Sequence, residues 1–170
     1  ARQYPEHLVV GVEDTLYAMG ELARLERAQE TRKVVAITGS AGKTSTRLAC
    51  VQAASAAGWT VHTQPGNENN RIGVPRFLLN LPALQNSAEL VVVECGTSEP
   101  GEIARLGAIT RPDVVIITGI CAAHTELLVA FGGIALKNAQ VHGGSVGRHV
   151  ARDALQNCKN AGVSFINLSP

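Results

Sequence analysis

Thr38-Gly39-Ser40-Ala41-Gly42-Lys43-Thr44-Ser45 follows directly on the β-branched run Val34-Val35-Ala36-Ile37 and leads into a stretch that reads as helix from Lys43 to Ala57. Strand, glycine turn and helix in that order gather backbone N–H groups and the positive end of a helix at one point, which is how a fold builds a phosphate cradle. In such a cradle Lys43 can reach the β- and γ-phosphates, and the Thr44 hydroxyl can ligate Mg²⁺. The commoner spacing G-x-x-x-x-G-K-[ST] fails here, because its first glycine would fall on Ile37; what stands is the shorter G-x-x-G-K-T. A glycine turn with a solvated lysine is the plainer alternative, and the agreement of strand, glycines, Lys-Thr and helix argues against it. Nucleotide phosphate is the expected ligand, with Gly39, Ser40, Ala41, Gly42, Lys43, Thr44 and Ser45 as its contacts.

Outward from this loop the chain alternates. Leu16, Met19, Leu22, Ala23 and Leu25 fall at helical spacing and predict an amphipathic helix over Leu16 to Ala28. Gly58 stops the helix after the loop, Trp59 to Thr63 alternates like a strand, and Gln64 to Arg71 is polar and turn-rich. Ile72 to Leu81 reads as a helix with Pro75 tolerated in its first turn. Leu90-Val91-Val92-Val93 is a continuous apolar run of the kind that a strand covered on both faces requires. Pro100 to Ile103 opens a short helix, and Val114 to Thr118 is another buried strand. A last helix near His149 to Cys158 and a strand over Val163 to Ile166 complete the pattern. Repeated strand and helix predict an α/β fold, a mostly parallel sheet with helices on both faces, whose chemistry sits at the carboxyl ends of the strands.

Bulk composition narrows the function classes. With 170 residues, 45% hydrophobic and 17% charged, the chain has the material for one buried core. A formal net charge of +1 leaves no electrostatic footprint for nucleic acid or an anionic membrane, so any phosphate site must be local. The apolar runs are too short to span a bilayer, and Ala1 to Glu6 lack a signal-peptide pattern. Cys50, Cys95, Cys121 and Cys158 form no C-x-x-C pair, which predicts reduced thiols and a cytoplasmic location rather than zinc or disulfides.

The shortened loop T-G-S-x-G-K-T-S resembles that of the Mur ligases, and further segments are similar in turn. Gly66-Asn67-Glu68-Asn69-Asn70-Arg71-Ile72-Gly73-Val74-Pro75 resembles the G-N-x-N-N-x-I-G-V-P segment of the branch that adds D-alanyl-D-alanine to a UDP-N-acetylmuramoyl tripeptide. Glu94-Cys95-Gly96 through Gly101-Glu102-Ile103-Ala104 looks like the family's E-x-G-x-x-x-x-G-E-I-A stretch. Arg111-Pro112-Asp113 through His124-Thr125-Glu126 is similar to its R-P-D segment and the A-H-x-E that follows. The resemblance runs from about Val9 to Ala135. It implies a P-loop NTPase-like central domain over residues 32–170, incomplete at its carboxyl side, with residues 1–31 as the link and helix from an amino-terminal substrate domain.

The resemblance also implies a reaction: ATP phosphorylates the carboxylate of the nucleotide-linked peptide, and the amine of D-Ala-D-Ala displaces phosphate in peptidoglycan precursor synthesis. Lys43 then contacts the transferred phosphate, and Thr44 and Glu94 hold a first Mg²⁺. His124 ligates a second Mg²⁺. Asn67, Asn69 and Asn70 are candidates for hydrogen bonds to substrate, with turn formation as the ordinary alternative. One family feature is missing: the lysine that the family carboxylates falls at Asn138, and Lys137 sits one position early. Consecutive helical residues point about 100° apart, so Lys137 does not take its place without a register shift. A nucleotide-binding protein that has lost ligation is therefore the competing expectation, and a transport or kinase-type ATPase is a third.

Overall fold

The computed structural model describes residues 9–81, 88–96, 98–99 and 101–118, and the backbone of 164–167. Among these residues nine elements follow in order: α1 (Thr15–Gln29), β1 (Lys33–Thr38), α2 (Lys43–Ala56), β2 (Val61–Thr63), α3 (Gly73–Asn80), β3 (Leu90–Glu94), α4 (Glu102–Thr110), β4 (Val114–Ile117) and β5 (Ser164–Asn167). The strands form one parallel sheet in the order β2-β3-β1-β4-β5. β1, which carries the loop, lies at the centre between β3 and β4.

The two faces of the sheet are sorted by strand alternation. Val34 and Ala36 of β1, Val91 and Val93 of β3, and Val115 and Ile117 of β4 face one side, where Ala23 of α1, Val74 and Leu78 of α3, and Ile103, Leu106 and Ile109 of α4 complete the main core. Ile37, Val92 and Ile116 face the other side, covered by Cys50 and Val51 of α2. Helices therefore lie on both faces, as the sequence predicts. α1 belongs to this packed unit: Arg27 is buried and donates through Nε to the Thr110 carbonyl at 2.9 Å, at the end of α4.

Local chemistry sets the ends of the elements. Asp14 caps α1 by accepting from the Leu16 and Tyr17 amides at 2.8 and 2.9 Å. α2 ends where Gly58 takes φ 90°, with Trp59 N–H donating to Ala54 O and Gly58 N–H to Ser55 O, both at 3.0 Å. That pairing holds Trp59 to the helix, so β2 starts at Val61 rather than at Trp59. Asn70 Oδ1 accepts from the Ile72 and Gly73 amides at the start of α3. The expected helix near His149 to Cys158 lies outside the described residues.

Candidate functional site

The carboxyl ends of β1 and β3 open into a cleft of about 320 Å³ lined by Ser40 to Ser45, Asn67, Asn69 and Glu94. The loop enters α2 through Gly42, whose φ of 79° lies in the left-handed region where glycine is at no disadvantage. Gly42 at the N-cap position of α2 has no side chain to cap the first turn, and amides at a helix start suit an anion. Lys43 lies along the loop, its Nζ donating to the Gly39 carbonyl at 2.7 Å. The Thr118 hydroxyl donates to the Ala41 carbonyl and ties the end of β4 to the loop.

Glu94 ends β3 on the α2 face and is only 2% exposed. A carboxylate at that depth needs partners, and among the described residues it has three. The Thr44 hydroxyl donates to Oε2 at 2.9 Å, Asn69 Nδ2 donates to Oε1 at 2.8 Å, and Arg47 Nε stands 3.4 Å from Oε2. The backbone of Glu94 is held as closely. β2 stops at Thr63, and the primary amide of Gln64 continues the pairing in its place: Nε2 donates to Glu94 O at 2.6 Å, and Glu94 N–H donates to Oε1 at 2.9 Å. The main chain can then leave the sheet and form the asparagine loop without stranding buried polar groups.

That loop lines the cleft through Asn67 and Asn69. Gly96 N–H donates to Asn69 O at 2.7 Å, and a Cβ at Gly96 would lie 2.7 Å from Asn69 Oδ1, so the glycine is what admits the asparagine. Of the three asparagines marked in the sequence, Asn67 and Asn69 line the cleft, whereas the side-chain oxygen of Asn70 is committed to the start of α3. The structure thus brings together the glycine loop of residues 39–45, Glu94, Asn67 and Asn69. His124, Lys137 and Asn138 lie outside the described residues. Arg47 and Gln64 were not singled out from sequence. Arg47 stands one helical turn after Lys43 on the same side of α2, the signal that could have marked it; Gln64 looks like any residue of a polar turn.

The pair Thr44 and Glu94 suits a hard divalent cation. Two ligands at adjacent octahedral positions on Mg²⁺, each about 2.0–2.1 Å from the ion, stand about 3 Å apart. Thr44 Oγ1 and Glu94 Oε2 are 2.9 Å apart. Among the described residues no cluster of three or more histidine, cysteine or acidic side chains could hold a metal, so further ligands would have to come from water or phosphate. Cys95, next in the chain, is no candidate ligand: burial, reinforced by the Glu94 charge, pushes its thiol up to about 12.

Comparison with known proteins bears on this geometry. Residues 37–145 match the family described as the Mur ligase middle domain. Over 133 residues, 78% of this chain, the sequence is 40% identical to the UDP-N-acetylmuramoyl-tripeptide–D-alanyl-D-alanine ligase of Escherichia coli (strain K12), and it covers 28% of that protein. The UDP-N-acetylmuramoylalanyl-D-glutamyl-2,6-diaminopimelate–D-alanyl-D-alanyl ligase of Acinetobacter baumannii superposes on 95% of the chain and 38% of its own, with TM-score 0.67 and 25% identity. The Thermotoga maritima MurF ligase, solved in complex with ADP, superposes on 95% of the chain and 40% of its own; its TM-score of 0.62 at 24% identity speaks for the fold. The chain therefore spans about a third of the length of the relatives it matches, and on the strength of the match over residues 37–145 it belongs to the Mur ligase family.

Proposed function

We propose that this chain is the nucleotide-binding part of an ATP-dependent ligase that joins D-Ala-D-Ala to a UDP-N-acetylmuramoyl peptide in the cytoplasm. The observation that carries the reading is the convergence of the first turn of α2, Lys43, Thr44 and Glu94 on one cleft. The E. coli relative is a ligase of this specificity, which supports the choice of substrates. Residues 1–31 would lead from a substrate-binding domain, with α1 packed against the central domain that begins near residue 32. Among the described residues no helix is long and apolar enough to cross a membrane, in keeping with soluble precursors as substrates.

The chemical problem is charge, because an anionic phosphoryl group must meet an anionic carboxylate. The α2 amides and Lys43 would take the phosphate oxygens, with Lys43 leaving the Gly39 carbonyl to do so. Thr44 and Glu94 would hold Mg²⁺, which when bound neutralises the oxygens of the transferred group. Asn69 and Arg47 keep Glu94 in place, and Asn67, which lines the cleft, would be free to bond substrate. His124 is the proposed ligand of a second ion.

A second reading, nucleotide binding without ligation, is favoured by Asn138, whose neutral amide stands where the family carries a carboxylated lysine. Phosphate release dependent on both UDP-linked peptide and D-Ala-D-Ala, measured on the full-length protein, separates the two. Release that needs both substrates supports the ligase. ATP binding without such release supports the second reading, and then Asn138→Lys with bicarbonate should restore it.

A further inference from the structure

Arg47 lies one turn beyond Lys43 on α2 and is 5% exposed. A guanidinium has five N–H donors, and burial makes each unmet donor costly. Its terminal nitrogens are occupied: Nη1 donates to Gln64 O at 2.8 Å and Thr63 Oγ1 at 3.1 Å, and Nη2 donates to Gly66 O at 3.2 Å. Nε has no hydrogen-bond partner among the described residues, yet it stands 3.4 Å from Glu94 Oε2 in an ion pair without hydrogen-bond geometry. That oxygen is the one that also accepts from Thr44. Among the described residues Glu94 is the only acid lining the cleft, and its charge is matched by a cation that three oxygens of β2 and the following turn hold still.

We propose that Arg47 is a positioning residue whose fixed charge makes divalent-ion capture by Thr44 and Glu94 depend on bound nucleotide phosphate. The inference rests on reading those two residues as Mg²⁺ ligands. Affinity for a hard cation follows the number of charged ligands and the rigidity of the site. Without nucleotide the Thr44–Glu94 pair offers one neutral hydroxyl and one carboxylate already balanced by Arg47, while Lys43 stands on the loop as a further positive charge. The local charge is then zero or positive, and a dication gains little by entering. Phosphate oxygens add the missing negative charge, so ion and nucleotide enter together. The same guanidinium ties the carbonyls of Gln64 and Gly66 to α2, so it also sets the start of the loop that carries Asn67 and Asn69.

The test is a Mn²⁺ titration of the full-length protein without nucleotide, with free Mn²⁺ read by electron paramagnetic resonance. Wild type and Arg47→Lys should bind no more tightly than roughly millimolar, the weak end for such sites. Arg47→Met should bind on the order of tenfold tighter or more, because a buried like charge has been removed, and the gain should vanish in Arg47→Met/Glu94→Gln. A role in packing alone would move the lysine and methionine variants together. Sub-millimolar Mn²⁺ binding by nucleotide-free wild type overturns the proposal, as does a folded Arg47→Met that gains nothing. If Arg47→Met does not fold, the wild-type titration decides: with ADP its Mn²⁺ affinity should rise on the order of tenfold or more, and an unchanged affinity overturns the proposal. Failure of wild type to bind ADP at all would strike the nucleotide-binding reading itself. ADP-coupled Mn²⁺ binding with no gain in folded Arg47→Met would remove this inference alone.

Discussion

Replacing Gln64 with leucine removes a side-chain amide of similar size and leaves the Glu94 backbone unpaired in a closed environment. Gln64 is 1% exposed and its amide makes both bonds to Glu94, at 2.6 and 2.9 Å. On the other side of β3 the ladder stays intact, since Cys95 N–H still donates to Ile37 O. Each buried polar group left without a partner costs about 1–3 kcal/mol, so the two together should cost about 2–4 kcal/mol after partial relaxation. With a urea dependence of about 1–3 kcal/mol per molar, the midpoint should fall by about 1–2 M. Gln64→Glu sharpens the test. Its carboxylate can accept from Glu94 N–H but cannot donate to Glu94 O, and burial beside Glu94 raises its pKa above that in the unfolded chain. A carboxyl group with a raised folded pKa stabilises the fold as pH falls towards that value, so Gln64→Glu should recover stability between neutral and mildly acid pH while Gln64→Leu should not. A Gln64→Leu protein within about 0.5 kcal/mol of wild type would refute the view that this amide stands in for a strand.

Three further outcomes follow from the same geometry. Glu94→Gln should weaken Mg²⁺-dependent nucleotide binding more than Mg²⁺-free binding; equal losses in calorimetry would make Glu94 a structural residue only. Burial raises the Asp113 pKa, but the Val34 amide, Lys33 and Arg27 outweigh it and hold the carboxyl below its ordinary value. Its contribution is therefore present at neutral pH and lost as pH falls through the depressed value, so Asp113→Asn should cost about 1 kcal/mol at pH 7 and much less at pH 3 in urea melts. Cys95 should resist alkylation at pH 8 until the protein unfolds, since its thiol is held at about 12, whereas half-buried Cys50 should react sooner in a mass-spectrometric time course.

Much of the fold was legible because the decisive signals are local. β1 and α2 are bounded by glycines whose backbone angles the sequence can anticipate, and β3 is an apolar run that only a two-sided strand explains. β2 was read two residues too long, because alternation from Trp59 to Thr63 does not reveal that Trp59 is still bonded to the end of α2. The site was half legible. Lys43 and Thr44 are marked by the glycine loop that leads from β1 into α2, and Glu94 by its place at the end of β3, but the three asparagines look alike in sequence. Only tertiary contact separates Asn69 on the Glu94 carboxylate from Asn70 at the start of α3. Arg47 escaped notice because a cation on an amphipathic helix is ordinarily solvated; its burial depends on carbonyls that β2 and the following turn bring to it.

The central claim is that the cleft between the phosphate loop and the asparagine loop holds the phosphates of ATP. Calorimetric titration of MgATP into wild-type and Lys43→Ala protein tests it most directly, because among the described residues Lys43 bonds to its own loop at Gly39 O and its loss should leave the fold intact. The account predicts measurable binding by wild type and a loss of at least about tenfold in affinity for Lys43→Ala, with unchanged thermal stability. Equal MgATP affinity in the two folded proteins would contradict it.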